Sequence, residues 1–125
     1  MLNDVALSVS IPATDLERAK AFYADKLGYK PTEERPDGLL YESGGSKFML
    51  YPSGFAGTAK HTLAGWEVSD LETEMETLRG RGVTFEEYDL PNLKTKDGVA
   101  MMGDIRGAWF KDTEGNILGL MQRIG

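Results

Sequence analysis

The chain has 125 residues, of which 41% are hydrophobic and 27% charged, and its formal net charge is −6. This length suffices for one domain with its own core and is short for two. The acidic balance and the lack of a Lys/Arg stripe argue against nucleic-acid binding, and no apolar run is long enough to span a bilayer. Without cysteine there is neither a disulfide framework nor a thiolate metal site. Since the N-terminus also lacks a basic leader, we expect a cytoplasmic protein.

The first half of the chain reads as a strand, a helix and further strands. Apolar residues alternate over 5–11, which predicts a strand with one apolar face. Helical spacing over 16–27 predicts a helix that ends at Gly28. Thr14 and Glu17 have the spacing of a capping box, so this helix is predicted to begin there. Three strand-like runs follow, at 29–34, 38–43 and 47–52.

The second half repeats this order at an offset of 55, with Asp70 in the place of Asp15. A strand over 63–68 precedes a helix that Ser69 and Glu72 are predicted to cap. The helix is predicted to end at Gly82, and strand-like runs follow at 83–89, 99–104, 108–112 and 116–122.

The repeat predicts a fold of the α+β class with two β-α-β-β-β modules in tandem. The first module covers about 1–54 and the second about 60–125, within a single domain over 1–125. Neither module can bury its sheet alone at that length, so the two must share one structure. We expect a curved mixed sheet around a cleft that no helix covers. Such clefts are the default ligand sites.

Three segments carry a resemblance to a known family. They are 11–29 (IPATDLERAKAFYADKLGY), 65–83 (GWEVSDLETEMETLRGRGV) and 108–120 (AWFKDTEGNILGL). In this order, and with the internal repeat, they resemble the vicinal oxygen chelate superfamily, which includes glyoxalase I, bleomycin-resistance proteins and extradiol dioxygenases. The resemblance covers essentially the whole chain and implies a glyoxalase-like fold.

The resemblance also implies four metal-ligand positions on the inner face of the sheet. Carried over, they fall on Ser8, Leu63 and Gly119 and at about Leu50, or at Met49 if the register differs by one. A hydroxyl and three side chains without donors do not bind a catalytic divalent ion. We interpret His61, the single histidine, as a linker residue. We therefore expect no metal and no cofactor.

The predicted inner face supplies the candidate site residues. Glu67 is a weak candidate for a general acid or base, because its neighbours Trp66 and Val68 should be buried. Trp109 and Phe110 are adjacent, and the sequence leaves open which of them faces the cleft. The candidate ligand-binding residues are Ser8, Ser10, Phe48, Leu50, Leu63, Glu67, Trp109, Gly119 and Met121.

Three functional hypotheses follow from this pattern. The leading one is a metal-free small-molecule-binding protein of the resistance or carrier type, because bleomycin-resistance-type members sequester a planar drug in a cleft between two chains. We expect a homodimer with a small-molecule ligand and neither a nucleic-acid nor a membrane partner. One alternative is a metal-independent lyase or isomerase acting on a small carbonyl compound. The other is a structural or regulatory dimer without ligand, which predicts a filled cleft.

Overall fold

The computed structural model describes residues 1–124 and contains two sheets of four strands each, with one helix beside each sheet. The helices are α1 (Leu16–Asp25) and α2 (Leu71–Gly80), and a 3₁₀ turn spans Leu2–Asp4. The strands are β1 (Val9–Ala13), β2 (Glu33–Arg35), β3 (Gly38–Ser43), β4 (Ser46–Pro52), β5 (Thr62–Glu67), β6 (Asp89–Leu90), β7 (Leu93–Lys94), β8 (Ala100–Met102), β9 (Ile105–Lys111) and β10 (Ile117–Arg123). Within residues 1–124, neither helix is long and apolar enough to cross a bilayer.

Each sheet contains strands of one module. The first sheet has the order β1-β4-β3-β2 and the second the order β5-β10-β9-β8, with β6 and β7 forming a separate small hairpin. In both sheets the strand that precedes the helix pairs in parallel with the last strand of its module. The remaining pairs are antiparallel. The predicted α+β class with a duplicated strand–helix–strand order is confirmed.

Aspartates cap both helices. The Asp15 carboxylate accepts a hydrogen bond from the Arg18 amide at 3.1 Å, and the Asp70 carboxylate accepts one from the Thr73 amide at 3.2 Å. The predicted caps at Thr14 and Ser69 are therefore wrong by one residue. Aspartate accepts this bond as well as a hydroxyl does, and its charge also favours the positive end of the helix dipole.

The two helices end against each other. Gly28 and Gly82 follow them with φ of 82° and 92°, the left-handed conformation that the sequence predicts for these glycines. The Lys26 amine donates to the Arg81 carbonyl at 2.5 Å, and the Arg81 guanidinium donates to the Lys26 carbonyl at 2.9 Å. These reciprocal bonds satisfy carbonyls that a helix end leaves free.

One apolar core joins the helix-facing sides of both sheets. In the first sheet, Ile11 lies opposite Leu50 and Val9 lies opposite Phe48, so all four side chains share a face. Tyr23 of α1 packs on this face, with its ring 6.1 Å from that of Phe48. Phe48 and Leu50, two of the predicted ligand-binding residues, therefore lie on the helix-facing side of the sheet. Because side chains alternate along a strand, Met49, opposite Ser10, is the residue on the other face.

A buried polar turn between β9 and β10 connects the modules. Asp112, Glu114 and Asn116 are all buried. The Asp112 carboxylate accepts a hydrogen bond from the Tyr23 hydroxyl at 2.7 Å, and the Asn116 side-chain amide donates to the Pro12 carbonyl at 2.8 Å. Buried polar groups are stabilising only when they are paired in this way.

Glu114 makes the closest connection between this turn and α1. Its carboxylate accepts from the Arg18 guanidinium at 2.9 and 3.1 Å and from the Asp15 amide at 2.8 Å. The capping box predicted that Glu17 accepts a hydrogen bond from the amide of the residue that caps the helix. In the structure Glu114, from the other module, accepts the hydrogen bond from that amide. The Arg18 hydrogen bonds are the main reason that the pKa of Glu114 is lowered to about 2.

We expect Glu114→Gln to lower the free energy of unfolding at pH 7 by about 2 kcal/mol, because it removes the charge of a buried carboxylate that pairs with the half-exposed Arg18. The pKa of Glu114 lies below its usual 4.5 in the folded chain. Its contribution is therefore complete above about pH 4.5 and is lost as the pH falls toward 2. Urea unfolding at several pH values measures both effects. The exposed Glu17→Gln is the control, and an equal loss in the two variants contradicts the prediction.

Removal of the hydroxyl group from two buried tyrosines is expected to change the free energy of unfolding in different ways. The Tyr41 hydroxyl is buried without a hydrogen-bond partner among residues 1–124, whereas the Tyr23 hydroxyl binds Asp112. We expect Tyr23→Phe to cost about 1–2 kcal/mol and Tyr41→Phe to be neutral or stabilising by up to about 1 kcal/mol. Thermal and urea denaturation measure both variants, and a larger loss for Tyr41→Phe refutes this assignment.

Candidate functional site

Each sheet has one face that no helix covers, which we call its open face. On the second sheet the strand register brings two pairs of residues side by side on this face: Gly119 lies opposite Gly65, and Met121 lies opposite Glu67. A depression of about 340 Å³ lies here. Its lining residues are Thr62, Leu63, Ala64, Gly65, Trp66, Glu67, Ile105, Met121 and Arg123.

The Trp109 ring lies flat across two glycines of the open face. A Cβ atom on Gly119 would stand 3.2 Å from Trp109 Cδ1 and Nε1, and one on Gly107 would stand 3.0 Å from Cη2. The indole Nε1 donates to the Thr62 hydroxyl at 3.1 Å. The Tyr88 ring meets the indole edge-on at a centroid distance of 5.8 Å. The indole is therefore held beside the depression by contacts on several sides.

This packing decides which of Trp109 and Phe110 is on the open face, and it shows what lies above Gly119. Trp109 is on the open face and Phe110 is in the core, because Phe110 is fully buried against Phe85 and Trp66. The space above Gly119 is filled by the indole and is not available to a ligand. Gly119 is needed because a side chain there would displace Trp109.

The structure brings together three of the predicted ligand-binding residues, because Leu63, Glu67 and Met121 all line the depression. Trp109 and Gly119 lie beside it on the same face. Ser8 and Ser10 are exposed, belong to the first module and do not line it. Sequence reasoning missed six lining residues, which are Thr62, Ala64, Gly65, Trp66, Ile105 and Arg123. The pairing of Ile105 with Arg123 follows from the register of the β9–β10 hairpin once its turn is placed, so the sequence could have predicted it.

Glu67 lacks the burial that acid–base chemistry would require. Its side chain is exposed, and it has no hydrogen bond or ion pair with the residues that the structure describes. Its neighbour Trp66 points to the opposite side of the sheet, where it stacks on Phe110 at 6.3 Å. Glu67 is exposed because Trp66 and Val68 pack on the other face of β5.

The residues at the four implied metal positions do not fit a divalent ion. Ser8 offers a hydroxyl, Met49 a thioether, and Leu63 and Gly119 offer no donor. Among residues 1–124 no group of three or more His, Cys, Asp or Glu lies close enough together to bind a metal. His61 is exposed, and its Nδ1 is 2.9 Å from the Thr62 carbonyl. The open face therefore offers apolar contact, shape and the charges of Glu67 and Arg123.

Comparisons with known proteins agree with this fold. A family model described as "Bleomycin resistance protein-like N-terminal" matches residues 6–38. A search of curated protein sequences finds no significant match.

Several solved structures are similar over nearly the whole chain. UcmS2 is 21% identical, with a TM-score of 0.74 over 94% of this chain and 96% of that chain. A glyoxalase/bleomycin resistance protein/dioxygenase from Alicyclobacillus acidocaldarius is 19% identical, with a TM-score of 0.71 over 98% and 93%.

TnmS3, an antibiotic binding protein from Streptomyces sp. CB03234, is 22% identical, with a TM-score of 0.62 over 95% of both chains. At these identities the structural matches establish the fold and not the ligand. Together with the family match, they confirm the resemblance to the vicinal oxygen chelate superfamily, whose glyoxalase-like fold this chain adopts.

Proposed function

We propose that this protein binds a small, largely planar organic molecule without a metal ion, in a resistance or carrier role. The observation that carries the proposal is the depression of about 340 Å³ on the helix-free face of the second sheet. This volume lies within the range of small-molecule sites, which extends from about 300 to 1,000 Å³. The residues at the implied metal positions supply no imidazole or carboxylate, so binding in this proposal rests on the shape and apolar surface of the site.

The lining indicates the kind of molecule that would bind. Leu63, Ile105 and Met121 offer apolar contact, and methionine adapts to irregular shapes. Glu67 and Arg123 at the same site provide one charge of each sign, which would orient polar substituents of the ligand. The similarity of the fold to TnmS3, which is described as an antibiotic binding protein, supports a ligand of this class.

We propose further that two copies of the chain complete the site. Every residue that lines the depression belongs to the second module, so one side of a bound molecule would remain in water. The N-terminal segment meanwhile exposes apolar side chains, with Leu7 91% and Val5 64% exposed. Exposed apolar surface of this kind is typical of interaction sites. In a homodimer, the first sheet of one copy would cover the second sheet of its partner.

We place the protein in the cytoplasm as part of this proposal. Support comes from the absence of cysteine, since a chain of this size without disulfides suits a reducing compartment.

We expect anthraquinone-2-sulfonate, a small planar molecule, to bind the wild-type protein, as measured by isothermal titration calorimetry. Met121→Trp should weaken this binding by about tenfold or more, because overpacking a well-fitted site costs about 1–3 kcal/mol. Met101→Trp is the control, since Met101 is an exposed methionine outside the depression. Failure of this compound to bind, or an equal loss in the two variants, contradicts the proposed ligand class.

We expect nickel, zinc, iron and manganese ions to leave the thermal unfolding midpoint of the purified protein unchanged. Binding of a ligand to the native state raises that midpoint, and the stabilisation grows with the logarithm of 1 + [L]/Kd, so a bound metal would be visible. Elemental analysis of the protein purified without chelator provides the second measurement. One equivalent of a divalent metal per chain contradicts metal-free binding while leaving the fold assignment intact.

A further inference from the structure

A second concave site lies on the other side of the second sheet. It is a groove of about 390 Å³ between α2, the sheet and the segment that follows α1, and we call it the helix-side groove. Its lining residues are Leu27, Tyr29, Trp66, Glu67, Val68, Glu74, Thr77, Leu78, Arg81, Phe110 and Leu120. We propose that the helix-side groove binds small protonated aromatic amines, a role that goes beyond the proposed function of the open face.

The floor of the groove is apolar and held in place. The Trp66 ring stacks on Phe110 with an interplanar angle of 11°, and Phe110 is fully buried. The Trp66 indole Nε1 donates to the Tyr29 hydroxyl at 2.8 Å, which bonds in turn to the Ser43 hydroxyl at 2.6 Å. The indole is thus fixed between the two modules while its remaining surface stays half-buried. A fixed aromatic ring in an apolar groove favours stacking with a second ring.

The charged residues at the rim of the groove indicate which charge the ligand carries. Glu67 and Glu74 line the groove, and neither forms an ion pair or a hydrogen bond with another residue of the described chain 1–124. Arg81 also lines it, but its guanidinium donates to the Lys26 carbonyl, and the Lys26 amine donates to the Arg81 carbonyl. Arg81 keeps its positive charge in this contact, because a carbonyl is neutral, so the groove carries two carboxylates and one guanidinium. The excess of negative charge favours an ammonium group over a carboxylate.

The groove and the depression can be tested separately. Trp66 and Glu67 line both sites because they lie at the end of the edge strand β5, but Glu74 and Thr77 line the groove alone. Met121 lines only the depression. Binding in the groove should therefore persist in Met121→Trp, so that failure of one proposal leaves the other standing.

Phenethylamine is the probe, and the two indole N–H signals of Trp66 and Trp109 in an NMR titration are the readout, assigned with Trp109→Phe. We expect phenethylamine to shift the Trp66 signal with a dissociation constant of about 1 mM, and 3-phenylpropionate, its anionic counterpart, to bind at least about fivefold more weakly. Glu74→Gln should weaken phenethylamine binding by about threefold, the value of an exposed ion pair.

Thr77→Phe should abolish the shift of the Trp66 signal by filling the groove. Glu76→Gln, on the same helix but outside the groove, is the matched control and should change nothing. An unmoved Trp66 signal at 10-fold the expected dissociation constant overturns the proposal. Equal binding of the amine and the carboxylate, or unchanged binding in Glu74→Gln, overturns its charge preference and with it the assignment to protonated amines.

Discussion

The buried Glu114 carboxylate is the contact on which the arrangement of the two modules most depends. It ties the turn between β9 and β10 to the start of α1 through Arg18 and the Asp15 amide. The same turn reaches Tyr23 through Asp112 and the end of β1 through Asn116. Leaving any of these buried groups without its partner is costly, so the helix-facing sides of the sheets are held together. The open faces are consequently left on the outside of the molecule.

What the open face can bind follows from its side chains and from the space they leave. Trp109 occupies the room above Gly107 and Gly119, so the glycines serve the indole rather than a ligand. The depression lies next to this ring, where Leu63, Met121 and Glu67 meet. On the opposite side of the sheet, the Trp66 indole is likewise held in place and lines the helix-side groove. One sheet thus carries a fixed indole on each of its two faces.

Much of this fold was predictable because its information is local. The repeated spacing of apolar residues, aspartate and glycine placed both helices, and the alternation in β5 put Trp66 and Glu67 on opposite faces. The face taken by Phe48 and Leu50 could not be predicted, because the run 47–52 has apolar residues on both faces and its alternation does not say which face meets the helix. The parallel register of β1 and β4, with Met49 opposite Ser10, decides which residues of β4 face the helix.

The sequence by itself determined the duplicated order of strands and helices, the glycine helix ends and the lack of imidazole and carboxylate groups at the implied metal positions. These properties depend on residue type and on spacing within one segment. Tertiary structure alone decided that Glu114 binds the amide of the residue that caps α1, 99 positions away, and that Trp109 rather than Phe110 takes the open face. Such contacts join segments far apart in the chain, and no local pattern specifies which distant group arrives.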